Sequence, residues 1–189
     1  MRSLRRDERG STMVEMAIVF PLIFLVLLGI LEMGNLFSQW LRAEKATQLG
    51  VRFAVTSTMA ATGVPDCGVT TAQPIGTPCR LIAGSDSWTR TCSAGAGGCD
   101  AAAFNAIVAR MQSVYGIIAP ANVVVEYSGT GFGFVGRGMP IPSVTVRLQN
   151  MTFSFVALGS LVRGLGGQFT DTITVPDFRA TLTGEDLQS

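Results

Sequence analysis

Residues 9–31 read RGSTMVEMAIVFPLIFLVLLGIL, and this stretch determines how the rest of the chain is organised. From Ala17 to Leu31 it contains no charged residue, and lightly polar flanks extend the apolar run from Met13 to Phe37. A helix of about 20 residues crosses the hydrocarbon core of a bilayer. The sequence therefore predicts one transmembrane helix near the N-terminus. The next apolar run, Phe153 to Val162, is too short for a second crossing.

The charges before this span predict its orientation. Arginines at positions 2, 5, 6 and 9 precede it, and positive residues favour the cytoplasmic side of a membrane. Residues after about Phe37 are then expected on the exported side. Every cysteine of the chain lies there, and an even number of cysteines in an exported region indicates disulfides. The four are Cys67, Cys79, Cys92 and Cys99.

The composition argues against several classes of function. The formal net charge is +1, and no basic block lies outside the first ten residues, so nucleic-acid binding has no electrostatic support. The chain contains no histidine, which removes Ser-His-Asp and Cys-His catalysis and every histidine-ligated metal site. We therefore expect no catalytic residue, no metal and no cofactor.

The residues just before the span carry a processing pattern. A cut after Gly10 would make Ser11 the first residue and Glu15 the fifth, with a basic leader upstream and the apolar helix directly downstream. This is the arrangement of type IV prepilins. Over residues 7–55 the chain resembles, more narrowly, the TadE/TadG-like proteins of Tad (Flp) pilus systems. The matching features are Glu8-Arg9-Gly10, Val14-Glu15, Pro21 and the block from Gly29 to Gly34 with Glu32 inside it.

The resemblance implies an architecture and a set of partners. We expect a cytoplasmic leader (1–10), a pilin-like helix with a transmembrane first half (11–58) and a periplasmic head (59–189). The implied function is that of a minor pilin or pseudopilin, a structural subunit and not an enzyme, that stays in the bacterial inner membrane or enters a pilus. The implied partners are a prepilin peptidase, other pilins, the inner-membrane assembly platform and the lipid bilayer.

Glu15 has two interpretations. Cleavage would create an α-amino group on Ser11, which is positive at neutral pH, and by resemblance to pilins Glu15 would pair with that amine in its own or a neighbouring subunit. A carboxylate in the first helical turn is also favoured by the helix dipole, by about 0.3–1 kcal/mol. The alternative is a glutamate at the cytoplasmic headgroup level that snorkels to water.

Other residues of the span are candidates for helix packing. Glu32 follows Glu15 by 17 residues, about 26 Å along a helix, so it is either an interfacial residue on the far side or a packing contact. Pro21 is expected to kink or loosen the helix. Gly29 and Gly34 leave room for close helix approach, although their spacing does not match the small-xxx-small pattern.

The helix is predicted to continue beyond the span, with its outer half against a globular head. Small residues form the stripe that indicates this contact: Ala43, Ala46, Thr47, Gly50, Ala54 and Val55. Residues 59–100 are then rich in Gly, Pro, Ser and Thr, which is typical of loops. We predict disulfides between sequence-near partners, Cys67–Cys79 and Cys92–Cys99. A four-thiolate metal site is disfavoured because no CxxC pair is present.

The remainder predicts an α+β head with a small antiparallel sheet. Asp100 is expected to cap a helix that buries Phe104, Ile107, Val108, Met111 and Val114 and stops at Gly116. Strands are expected at 123–127, 144–148, 168–175 and 177–183, and 153–162 is ambiguous between strand and helix. Gly131 to Gly136 satisfies GxGxxG, but the sequence after it cannot open a helix, so a hairpin or surface loop is favoured over a phosphate site.

Three functions remain open from the sequence. The first is the pilin-like structural subunit. The second is a plain anchored binding protein or enzyme of the periplasm, without leader cleavage. The third is an adhesin whose stapled loops form the binding surface, which is compatible with the first. Cleavage after Gly10 separates the first two, because a plain anchor has no reason to be cut there.

Overall fold

The computed structural model describes residues 9–65, 67, 73–82, 87–136, 140–155, 157–164, 166–168, 170, 172–184 and 187. The first eight residues of the expected leader, with three of its four arginines, lie outside the described residues. So do positions 169 and 171 of the expected strand 168–175.

The N-terminal helix, α1, runs without interruption from Arg9 to Ala54 over 46 residues and contains Pro21. The prediction of a single long helix that continues beyond the apolar span is confirmed. Its end comes at Ala54 instead of 58. The amide of Thr56 donates to the carbonyl of Phe53, only three residues back, at 3.2 Å, so the chain tightens out of the α-helical pattern there. Arg52 lies in the last turn, where a positive charge is favoured by the helix dipole.

The chain folds into two compact units, and each unit is made of two separate stretches of the sequence. The first contains Met1–Ser38 and Phe153–Ile173, and the second contains Gln39–Thr152 and Thr174–Ser189. In the first unit a short helix, α3 (Ala157–Gly164), accompanies the first part of α1. The ambiguous stretch 153–162 therefore holds both kinds of structure, since strand β4 (Thr152–Ser154) comes directly before α3. Strand β5 (Thr172–Thr174) pairs with β4.

The second unit is built on a four-stranded antiparallel sheet in the order β1-β2-β3-β6. Its strands are β1 (Thr89–Ser93), β2 (Val123–Phe132), β3 (Ile141–Leu148) and β6 (Phe178–Thr183). Val125 pairs with Val146 and Val146 with Ala180, which gives the register of β2 with β3 and of β3 with β6. Val123, Val125, Val144 and Val146 are fully buried, and Val124 and Thr145 between them are nearly so, which places these two strands in the centre of the core.

Helix α2 (Ala101–Gln112) begins at the predicted cap. A carboxylate oxygen of Asp100 accepts hydrogen bonds from the amides of Ala102 and Ala103 at 2.8 and 3.1 Å. The predicted end was wrong. The helix ends at Gln112, whose side chain donates to the carbonyl of Ile118 at 2.7 Å, and Val114 lies beyond the helix with 36% of its surface exposed.

The outer half of α1 forms one wall of the core of this second unit. Ala43, Ala46 and Ala54 are fully buried. Gly50 lies so close to α2 that a Cβ atom added there would be 2.7 Å from Cγ of Met111. The small-residue stripe therefore packs against the head, as the sequence predicted.

Candidate assembly surface on the N-terminal helix

The first part of α1 presents an apolar surface that this chain does not cover. Among the described residues α1 is the one helix long and apolar enough to cross a membrane, and 0% of its most apolar window is buried. Ile18 and Phe20 are 63% and 68% exposed. Such a surface requires lipid or other apolar helices around it.

Glu15 is exposed on this surface. Because α1 already begins at Arg9, Glu15 lies in the second turn, and the first turn contains no acidic residue. The dipole effect expected for Glu15 concerns a helix that begins at Ser11 after cleavage, and it stays a prediction. The Gly10–Ser11 bond lies inside the first turn of α1, and the side chain of Ser11 is outside what the structure describes.

Pro21 and Gly34 are exposed on the first part of α1, and Gly29 is half-buried. The helix continues through Pro21, and the rings of Phe20 and Phe24 stack at a centroid distance of 6.4 Å beside it. A Cβ atom added at Gly29 or Gly34 would meet nothing within 4 Å. The room that these glycines leave is therefore not filled by the described part of this chain.

Glu32 differs from Glu15 in being buried, with only 6% of its surface exposed. Its carboxylate accepts a hydrogen bond from the backbone N–H of Ala157, the first residue of α3. A carboxylate at a helix N-terminus satisfies a free backbone donor and interacts favourably with the helix dipole. The sequence singled out Glu32 but gave no sign of this partner, because α3 was not distinguished from a strand.

The loops of the head carry two disulfides. Cys67 bonds to Cys79 and Cys92 to Cys99, the sequence-near pairing, and their Cα atoms are 5.9 and 5.4 Å apart. The first disulfide packs against Val135 in a small buried cluster. Among the described residues no group of three or more Cys, Asp or Glu side chains is arranged to hold a metal ion.

An open groove of about 570 Å³ lies beside this disulfide, at the end of the β2–β3 hairpin. Phe132 and Phe134 are 68% and 55% exposed there, and Arg80 lies on its rim. The GxGxxG pattern occupies the hairpin end, where Gly131 and Gly133 have φ of 73° and 120°. Strand β3 and not a helix follows it, so the prediction of a hairpin at this pattern was correct.

Tyr127 is an ionisable residue in the core of the head. Tyr127 is fully buried, and burial raises its pKa, while the hydrogen bond that its hydroxyl accepts from the amide of Ala60 at 3.1 Å lowers it by less. Glu126 and Arg147 form a half-exposed ion pair across β2 and β3. Tyr127, Glu126 and Arg147 are not among the residues that line the groove. Their contacts hold the sheet and the core together.

The fold and this surface define a class: an α+β protein with a single N-terminal helix able to span a membrane and a disulfide-bonded head. Residues 10–52 match a family model described as TadE-like protein. No curated protein and no solved structure matches the chain. The match is consistent with a TadE-like pilus assembly protein, and it suggests a Tad pilus-associated protein.

Proposed function

We propose that this protein is a minor pilin or pseudopilin-like subunit of a Tad-type pilus assembly or secretion machine. In this proposal a prepilin peptidase cuts after Gly10, and the mature chain assembles through α1. The work of the protein is then to pack with other subunits and not to turn over a substrate.

The observation that carries the proposal is the uncovered apolar surface of α1, with the exposed carboxylate of Glu15 near its start. A carboxylate in hydrocarbon costs about 2.5–3.5 kcal/mol on insertion scales. That cost falls if the carboxylate pairs with a positive group at the same depth. The new α-amino group of Ser11, in the same or a neighbouring subunit, supplies such a charge. Cleavage also makes Glu15 the fifth residue of the shortened helix, which brings it toward the positive end of the dipole.

The other residues of the surface have roles in the same assembly. Gly29 and Gly34, which face open space, allow a neighbouring helix to approach closely. Pro21 gives α1 a point at which local adjustment is possible. The chain then divides into leader (1–10), helix (11–58) and head (59–189), with the head in the periplasm.

The partners follow from this division. The lipid bilayer surrounds α1 before assembly, the inner-membrane platform receives the mature subunit, and helices of other pilins replace lipid when it enters a filament. The disulfides require an oxidising compartment, which agrees with a periplasmic head.

The test is intact-mass and N-terminal peptide mass spectrometry on protein isolated from native membranes. A mature chain that begins at Ser11 is expected. Gly10→Val should abolish the cut, and Gly29→Val, the same change inside the helix, should leave it intact. A chain that keeps its leader would contradict the proposal and favour the alternative of a plain membrane-anchored binding or adhesin domain.

A further inference from the structure

We propose that α3 is a second membrane-contacting element, which lies in the headgroup region of the periplasmic leaflet beside the outer end of the membrane-spanning part of α1. The inference rests on the membrane anchoring in the proposed function, and it assigns a lipid-binding surface to a segment more than a hundred residues beyond the matched region. The occupant of the surface is the bilayer itself.

The depth of Glu32 determines the position of α3. Glu32 follows Glu15 by 17 residues, or about 26 Å along a helix, whereas the hydrocarbon core is about 30 Å thick. A helix with Glu15 at the cytoplasmic boundary therefore brings Glu32 just inside the opposite boundary. Apolar surface continues past it, since Met33 and Phe37 are 49% and 61% exposed. The start of α3, which is bonded to Glu32, is thus held at the edge of the hydrocarbon.

The composition of this segment suits that position. From Leu148 to Val162 the sequence contains no charged residue. Within α3 the side chains of Leu161 and Val162 are half-buried, so part of their apolar surface is available to lipid. The first charge is Arg163, which is exposed in the last turn. An arginine at this place can reach lipid phosphates while the apolar residues before it lie deeper.

The polar groups of α3 have partners inside the chain, which lowers the cost of moving them away from water. The amide of Ala157 is bonded to Glu32. The hydroxyl of Ser160 donates to the carbonyl of Ala157 at 2.9 Å. At the other end, the amides of Gly166 and Gly167 donate to the carbonyls of Arg163 and Val162 at 3.0 and 2.9 Å. Backbone groups bonded in this way are the main requirement for contact with hydrocarbon.

The test uses the full-length protein in lipid nanodiscs that contain a phospholipid with a photoactivatable diazirine on its acyl chain. After illumination, trypsin produces three informative peptides because lysine and arginine are absent inside them. Peptide 10–42 contains the membrane span, 148–163 contains α3 up to Arg163, and 111–137 contains the exposed Phe132 and Phe134 of the groove. The last peptide is the control for unspecific labelling of apolar surface.

Labelling of 10–42 and of 148–163, each well above 111–137, is the expected result. Labelling of 10–42 with 148–163 no higher than 111–137 would overturn the inference and leave the proposed function standing. If 10–42 itself is not labelled, the membrane anchoring in the proposed function fails as well. The double variant Leu161→Asp/Val162→Asp should reduce labelling of 148–163 to the level of 111–137, and Phe132→Asp should leave it unchanged.

Discussion

The carboxylate of Glu32 accepts a hydrogen bond from the backbone N–H of Ala157, a residue 125 positions later in the chain. The bond gives the buried carboxylate a donor and gives the free amide an acceptor. Glu32 is a buried acid inside α1, directly after its uncharged apolar run, and Ala157 begins a helix whose first amides have no partner within it. The contact ties α3 to α1 inside the first unit.

Glu32→Ala should loosen α3. Loss of a side-chain partner at a helix N-terminus costs about 0.5–2 kcal/mol, so the amides of α3 should exchange with solvent deuterium roughly tenfold faster. Glu32→Gln keeps an acceptor oxygen and should have a smaller effect. Hydrogen-exchange mass spectrometry in nanodiscs provides the measurement. Asn35→Ala, a change at an exposed neighbour on α1, is the matched control, and equal exchange in all variants would refute the role of Glu32.

Glu15→Gln should impair assembly without affecting folding. Glu15 is exposed, so the free energy of unfolding should change by less than about 0.5 kcal/mol. Recovery of the protein in sheared filaments, or cross-linked to other pilins, should fall because the charge that pairs with the Ser11 amine is lost. Glu44→Gln removes an exposed carboxylate outside the apolar span and should assemble normally. Normal assembly of the Glu15 variant would remove the proposed pairing.

Gly50→Val should destabilise the head. The added atoms would overlap Cγ and Sδ of the buried Met111, from which an added Cβ lies 2.7 and 2.8 Å away. Overpacking of this kind costs about 1–3 kcal/mol. Gly34→Val is the same substitution on the same helix at a position with open space, and it should leave the unfolding midpoint nearly unchanged. Chemical denaturation in detergent compares the two.

Removal of the Cys67–Cys79 disulfide should lower the free energy of unfolding by about 3 kcal/mol, according to the entropy of closing a loop of this length. The two cysteines are 12 residues apart. Cys92 and Cys99 are 7 apart, and their removal should cost slightly less. The double variants Cys67→Ala/Cys79→Ala and Cys92→Ala/Cys99→Ala test this in thermal unfolding. Unfolding of both at the wild-type temperature would show that the loops need no covalent closure.

The head should lose stability at alkaline pH through Tyr127. Burial raises the pKa of its phenol, so the folded protein holds that proton more tightly than the unfolded chain. Its contribution is complete below the unfolded pKa of about 10 and is lost as the pH rises through the higher folded pKa. In Tyr127→Phe this alkaline loss should shrink. The variant should be less stable by about 1–3 kcal/mol at neutral pH, since the amide of Ala60 loses its acceptor.

Thermal unfolding from neutral to alkaline pH measures both the lower stability of Tyr127→Phe at neutral pH and its smaller loss of stability at alkaline pH. Tyr115→Phe is measured in the same way, so that the alkaline profiles of the two tyrosine variants can be compared. Burial raises the pKa of Tyr115, while the nearby charge of Arg42 lowers it by less. An unchanged alkaline profile in Tyr127→Phe would contradict the assignment.

Local patterns predicted the elements that depend on local physics. The apolar run gave α1, the Asp100 cap gave the start of α2, and alternation gave β3. The spacing of cysteines favoured the pairs that the structure contains. Contacts between distant segments were not predictable in this way. The bond between Glu32 and Ala157 depends on a helix eight residues long, in a stretch whose apolar residues fit a strand equally well.

The sequence pattern also did not predict that α1 begins before Gly10 in the uncleaved chain. The sequence locates a processing pattern at Gly10, but the uncleaved chain continues the helix back to Arg9. Which turn holds Glu15 therefore depends on whether the leader is present.

The buried face of α1 also determines where a soluble version of the head can begin. The loop-rich composition after position 58 suggests that a fragment of the head could begin there. However, Ala43 and Ala46 are fully buried, and Gly50 contacts α2. A fragment that starts at residue 59 would lack one wall of its core, whereas one that starts at Gln39 would keep the whole second unit. A protease that cuts just after Ala54 would therefore not release an intact head.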